Sequence, residues 1–221
     1  GAKVALVEKG DTIRSGAGGP GCDHYCDIPT NPLSKVDPDV WAQQMYTPYS
    51  NAIGTQIQCR EGYDTLLEYE QMGGKIRDSE DEYFGVEGRD DKTKFMASPR
   101  QNKDHLTNTV LRVWGSTFKP ALKKECKRLG VEIFDRVMVT SLLTENGVQG
   151  AKVVGATGLN NRNGMFLVFE SKATILSTAG NHSLYMLNTE LSGYNTFRSR
   201  TMTGDGIAMA WRAGAELPMM E

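Results

Sequence analysis

The sequence predicts an α/β protein of the doubly wound kind, and three observations predict it. A short apolar run, KVALVE over residues 3–8, lacks strict alternation, as expected of a parallel strand covered on both faces. A second run, ATILS over 173–177, leads straight into Thr178-Ala179-Gly180. The chain carries 24 glycines, several of them at the ends of predicted strands, where backbone approaches backbone or a ligand.

Taken in order, residues 3–8 form the first strand. Residues 10–33, rich in Gly, Asp and Pro, read as loop. Asp37-Pro38-Asp39 opens a helix, with an acidic cap followed by Pro in the first turn. Helical segments are expected from there to Met72, broken near Tyr49 and Gly62, with Gly73-Gly74 as the stop. Residues 75–109 are polar, with charge clusters such as Arg89-Asp90-Asp91-Lys92, and read as surface loops and short strands. The clearest helix spans 116–129. Phe118, Leu122, Cys126 and Leu129 share one of its faces, while Lys119, Lys123, Lys124 and Lys127 lie off it as a solvated face. Gly130 stops it.

A β-rich block follows. Residues 131–134 and 137–143 are expected strands, and Glu145-Asn146-Gly147 a hairpin turn. Residues 148–157 and 165–170 are further strands, joined through 160–164. Their alternation predicts an antiparallel piece with one wet face. Residues 173–177 form another buried strand, and 206–213 a helix. No internal repeat or low-complexity segment interrupts the chain.

Composition narrows the function classes. With 39% hydrophobic and 24% charged residues and a net charge of -2 over 221 residues, the chain suits a globular protein. It has no basic excess that would suggest a nucleic-acid partner. No apolar run reaches the length of a membrane span, so direct membrane insertion is not expected. Four cysteines do not make a disulfide framework, and a reducing compartment, most simply the cytoplasm, is the expectation.

Four constellations carry chemistry. The first is the strand ending in Glu8, whose carboxylate can accept two ribose hydroxyls at the end of a dinucleotide-binding strand. By itself it reads first as a solvated strand end. The second is Arg14-Ser15-Gly16-Ala17-Gly18-Gly19, where serine donates and the glycines bare the backbone N–H groups to a flat ring or a phosphate. A surface loop would read the same. The third is Thr178-Ala179-Gly180, small residues that let a nucleotide pass a strand end, or a tight turn after a core strand. The fourth is Thr203-Gly204-Asp205-Gly206, which opens a helix whose N-terminus favours an anion or a polar ligand, or simply caps it.

In order and spacing, LVEK, RSGAGG, the stretch GSTFKPALKKECKRLGVEIFDRVMVTSLL, the hairpin, KATILSTAG and TGDGIAMAWRAGAELPMME resemble one family. It is the FAD-binding domain of the succinate dehydrogenase and fumarate reductase flavoproteins. Residues 115–180 and RSGA are most similar to its adenylylsulfate reductase alpha-subunit branch.

The resemblance implies a doubly wound FAD-binding domain with a β-meander and an irregular insertion at about 34–109. The first strand and the Gly-rich phosphate loop would lie before Gly1, so the chain reads as an internal fragment, its capping domain elsewhere. It implies cofactor contacts from Glu8, Lys9, Arg14, Ser15, Gly16, Ala17, Gly18, Gly19, Val137, Thr178, Ala179, Gly180 and Asp205. Glu8 would hold the adenosine ribose. Residues 15–19 would follow the pyrophosphate and the isoalloxazine, and the Val137 backbone would face adenine. Succinate dehydrogenases place a flavin-linked His where this chain has Gly16, so the resemblance implies noncovalent FAD. It also implies a small-molecule substrate, an enoate such as fumarate or an inorganic sulfur species, and an iron–sulfur partner subunit that exchanges electrons with the flavin.

Cys22-Asp23-His24-Tyr25-Cys26 departs from the family pattern. His24 is the candidate for touching substrate. Cys22 and Cys26 read first as packed thiols, with a metal or redox pair as the alternative. His105 and His182 read as structural. Two other functions remain open: a non-catalytic nucleotide-binding module, and a thiol or metal redox protein centred on Cys22 and Cys26.

Overall fold

A computed structural model describes residues 1–16, 18–46, 51–98, 108–180 and 202–217. The strands are β1 (Ala5–Glu8), β2 (His24–Tyr25), β3 (Met96–Ala97), β4 (Leu111–Arg112), β5 (Glu132–Asp135), β6 (Val137–Thr144), β7 (Val153–Asn160) and β8 (Phe166–Glu170). The helices are α1 (Pro38–Met45), α2 (Ala52–Gln71), α3 (Phe118–Arg128) and α4 (Asp205–Ala213). Two compact units result, one from Gly1–Gly19 with Cys126–Met220 and the other from Pro20–Glu125.

In the first unit β1 and β5 pair in parallel, Ala5 opposite Glu132 and Glu8 opposite Asp135, so both strands end on a carboxylate at the same edge. A turn at Gly130 feeds β5. Gly130 N–H donates to Lys127 O at 3.1 Å and Val131 N–H to Cys126 O at 2.9 Å, a Schellman closure at the end of α3. β6, β7 and β8 form an antiparallel meander. Phe169 of β8 packs edge-to-face on Phe134 of β5 at 5.1 Å. Val137 is 2% exposed. It sits against Gly158, where a Cβ would meet Val137 Cγ1 at 2.8 Å.

Two expected strands differ. Residues 148–152 are turn, and β7 starts only at Val153. Gly150 N–H is taken instead by Ala213 O at the end of α4, at 2.9 Å. Residues 173–177 form no strand, and Ile175 is 89% exposed. Apolar residues give strand propensity, but a ladder needs neighbouring backbone, and among the described residues none pairs with this segment.

The second unit is built around Ile28, Leu66, Tyr69, Ile76, Phe95, Leu111, Val113 and Ala121. Its sheet has the order β2-β4-β3. The expected cap is present: Asp37 Oδ1 accepts from Asp39 N–H at 2.9 Å and Val40 N–H at 3.1 Å. Gly62 does not break α2, which runs without interruption to Gln71. A Cβ at Gly62 would stand 2.7 Å from Ile28 Cγ2, so this glycine admits the core rather than ending the helix. Tyr49 lies outside the described residues. Leu129, expected on the packed face of the helix, is 63% exposed just beyond α3.

The expectation of surface loops over 75–109 is corrected in part. Ile76, Phe95 and Met96 are core, and Asp78 is fully buried. Asp78 accepts from Glu82 and Tyr83 N–H, both at 2.9 Å, and faces Arg89 Nε at 2.8 Å. Arg89, itself buried, also pairs with Asp81 and Asp91. Among the described residues no helix is long and apolar enough to cross a membrane.

Candidate functional site

The shared edge where β1 and β5 end gathers most of the flagged residues of the first unit. Glu8 bends back so that its Oε1 accepts from Gly10 N–H at 2.7 Å. Asp135 at the end of β5 accepts from Thr12 N–H at 2.8 Å and holds the loop that follows β1. That loop then closes a single turn. Asp11 O accepts from Ser15 N–H at 3.0 Å and from Ser15 Oγ at 2.6 Å, while Gly19 N–H reaches Gly16 O at 3.1 Å.

Two glycines of the turn do different things. A Cβ at Gly19 would stand 2.1 Å from Arg14 O, so only glycine lets the turn close. Gly16 has φ +73° with nothing within 4 Å of its Cβ position, an open face beside exposed Arg14. Ser15 lies against Gly10, whose Cβ would meet Ser15 Cβ at 2.7 Å, and so joins the first constellation to the second.

The third and fourth constellations meet at α4. A Cβ on Gly206 would stand 1.7 Å from Thr178 Oγ1, so Thr178 rests on the first turn of the helix. Ala179 has φ +61°, a left-handed conformation rare outside glycine. Thr203 Oγ1 donates to Asp205 Oδ2 at 2.6 Å, and Lys9 Nζ approaches the same oxygen at 3.8 Å. The Lys9 contact ties the end of β1 to the start of α4. Gly204 at the N-cap, φ +77°, brings no side-chain acceptor to the N–H groups of that turn. Val137 follows directly on Arg136, which has φ +66°. Gly18 lies within the closed turn and Gly180 just past Ala179. Ala17, His105 and His182 lie outside the described residues.

Asp135 and Asn161 escaped the sequence reading. Asp135 repeats the Glu8 signal, a short strand ending in an acid, and this similarity alone marks it. Asn161 in the turn after β7 donates from Nδ2 to Lys9 O at 3.0 Å. Its residue type signals only a turn.

The second unit holds the cysteine–histidine segment. His24 Nδ1 stands 2.7 Å from Asp23 Oδ1, and Cys22 Sγ donates to His24 O at 2.8 Å. Burial pushes the Cys26 thiol up, and the charge of Asp27 adds to it. Burial likewise raises Cys59. A raised thiol is mostly protonated near neutrality, a weak nucleophile and a weak metal ligand. Among the described residues no group of three or more His, Cys, Asp or Glu side chains is arranged to hold a metal ion.

The comparisons with known proteins converge. The model of a family described as FAD binding domain matches residues 1–221. A fumarate reductase (CoM/CoB) subunit from Methanothermobacter marburgensis is 40% identical over 101 residues, 46% of this chain and 16% of that protein. L-aspartate oxidase of Clostridium acetobutylicum is 30% identical over 155 residues, 70% of this chain and 30% of that protein. The structure of adenylylsulfate reductase from Archaeoglobus fulgidus matches at 25% identity and a TM-score of 0.74, covering 96% of this chain and 32% of that one. The chain thus spans between about a sixth and a third of the length of these relatives.

Proposed function

Because this chain belongs to the FAD binding domain family, within the succinate dehydrogenase and fumarate reductase flavoproteins, we propose that its first unit holds noncovalent FAD for an oxidoreductase. That enzyme would pass electrons between a small substrate and an electron-transfer partner. The observation that carries the reading is the meeting of Lys9, the residue after Glu8, with Asp205, and of Thr178 with Gly206 at the start of α4. Pieces up to about 200 residues apart in sequence come together where a parallel pair of strands ends, which is where ligands of open α/β sheets bind.

The residues present fit a dinucleotide. Glu8 spends Oε1 on Gly10 N–H, and among the described residues Oε2 has no partner, so it remains an acceptor for a ribose hydroxyl. Val137 would offer its backbone to adenine, and Thr178, Ala179 and Gly180 would lie along the adenosine half. Arg14, Ser15, Gly16, Gly18 and Gly19 would follow the pyrophosphate and the ring, with the open face at Gly16 supplying room. Ala17 belongs to the same run. Asp205, oriented by Thr203 and Lys9, would bond the cofactor from the start of α4.

Bound FAD supplies two-electron transfer at its flavin ring, and the protein positions and tunes it. Gly16 carries no side chain that can form a covalent link. On this reading residues 1–221 are part of an FAD-binding domain, with the insertion at about 34–109 and the capping domain elsewhere in the protein. His24, held at Nδ1 by Asp23, is this chain's candidate for contact with substrate. The substrate classes are an enoate, as the name fumarate reductase suggests, or a sulfur species, as adenylylsulfate reductase suggests. An iron–sulfur subunit is the proposed partner, and the cytoplasm the proposed compartment.

The test is a visible absorption spectrum of the natively purified full-length protein, before and after acid precipitation. Yellow colour released into the supernatant is expected. Colour retained in the pellet would mean a covalent flavin, and a colourless protein that FAD does not restore would overturn the cofactor reading.

A further inference from the structure

The peptide joining Lys9 to Gly10 is gripped from both sides. Its N–H donates to Glu8 Oε1 at 2.7 Å, and its C=O accepts from Asn161 Nδ2 at 3.0 Å. The polar groups of a trans peptide point in opposite directions, so Glu8 and Asn161 stand on opposite edges of one rigid plane. Asn161 is 152 residues away in sequence. Its backbone N–H donates to Arg136 O at 2.8 Å, and Arg136 N–H donates to Gly10 O at 2.9 Å. These bonds close a ring through Lys9, Gly10, Arg136 and Asn161. Within the ring Arg136 adopts φ +66°, a conformation that a residue with a side chain keeps only where its surroundings hold it.

We propose that Asn161 is a positioning residue for the adenosine side of the FAD site, acting on Glu8 through the Lys9–Gly10 peptide. The proposal rests on the reading of Glu8 as the ribose acid. A peptide beside glycine turns over at low cost, because glycine accepts either sign of φ. A flipped Lys9–Gly10 plane would present its carbonyl oxygen to the Glu8 carboxylate and repel it. Of the Asn161 side-chain amide, the NH2 is the end that can donate to Lys9 O, and it does so in the orientation that gives Glu8 its donor. Donation at one end of a peptide also strengthens the bond at the other. Glu8 is thereby held with Oε1 occupied and Oε2 left for ligand.

Asn161→Ala and Asn161→Asp remove the donor and keep the backbone N–H that binds Arg136. Asn161 is exposed, so both variants are expected to fold. The full-length protein, stripped of flavin, is titrated with FAD, with ADP as the adenosine-side probe and with FMN as the flavin-side control. Both variants are expected to bind FAD and ADP about 3- to 10-fold more weakly, the range of one hydrogen bond, with FMN unchanged. In a Glu8→Ala background the same substitutions are expected to add nothing, since the two residues act as one. An Asn161 effect that adds in full to that of Glu8→Ala, or that weakens FMN as much as ADP, would overturn the proposal. So would wild-type ADP affinity in Asn161→Ala alongside weakened affinity in Glu8→Ala. If Glu8→Ala itself binds ADP as tightly as wild type, the ribose assignment falls first and takes this proposal with it.

Discussion

Gly206 shows how one missing methyl group decides a local structure. In most helices alanine is better than glycine by about 1 kcal/mol. Here the methyl would stand 1.7 Å from Thr178 Oγ1 and 2.8 Å from Thr178 Cβ. Thr178 is too short to swing aside, so overpacking outweighs propensity. Gly206→Ala is therefore expected to destabilise the protein by about 1–2 kcal/mol, read as a lowered urea midpoint, and adding Thr178→Ala is expected to restore part of it. An unchanged midpoint in the single variant would show that Thr178 does not rest on α4. At this scale the sequence was informative about placement. An acid closing an apolar run put Glu8 at the end of β1, and glycine flanking an acid put Asp205 at the start of α4. It was silent on Asn161, because an asparagine in a turn announces the turn and not the carbonyl that its side chain meets 152 residues away.

Among the elements, the one most at odds with its composition is the stretch from Ile76 to Phe95. Its charges suggest a solvated loop, yet Ile76 and Phe95 are each 1% exposed and Asp78 is fully buried. Burial alone would raise the Asp78 carboxyl, but the N–H groups of Tyr83 and Glu82 and the Arg89 guanidinium outweigh it and hold it below the usual range. Lys94 lowers Asp81, Lys75 lowers Glu82, and the hydroxyl and N–H of Thr93 lower Asp90. The sign follows from proton counting. Unfolded carboxyls titrate near pH 4, and the folded ones lower, so the unfolded chain binds more protons as acid is added. The stabilisation is complete above about pH 5 and is lost as pH falls through 4 toward the folded values. Urea midpoints measured from pH 6 to 3 are expected to fall, and Asp78→Asn to show a lower midpoint with a shallower fall. A slope unchanged by that substitution would remove Asp78 from the account. Capped and glycine-stopped elements such as α1 and α3 were legible, because caps are local. The packing of 75–95 was not, because it depends on Arg89 finding three carboxylates at once.

For the whole molecule, segment 173–177 stands out among the described residues. Apolar side chains and a backbone with no ladder partner among those residues together make a site for association with other chains. The 221-residue chain expressed by itself is expected to self-associate, and Ile175→Lys to reduce that association in sedimentation velocity. Equal association by both would place the cause elsewhere, with Phe166 and Val168 on β8, 62% and 63% exposed, the next residues to change. The sequence marked this segment as a buried strand, and it is instead exposed chain outside any strand, since a ladder is a property of neighbours. The pairing of β1 with β5 has its own consequence for how the protein is born. Ala5 leaves the ribosome long before its partner Glu132 exists. At about 5–20 residues per second, the wait is roughly 6 to 25 s. During it Pro20–Glu125, one uninterrupted stretch, is synthesised while β1 lacks its partner β5. On the reading of Asp205 as a cofactor contact, flavin loading is a late event, closed to the nascent chain until Asp205 has emerged, and β1, waiting over that interval, is the natural client for a holding chaperone.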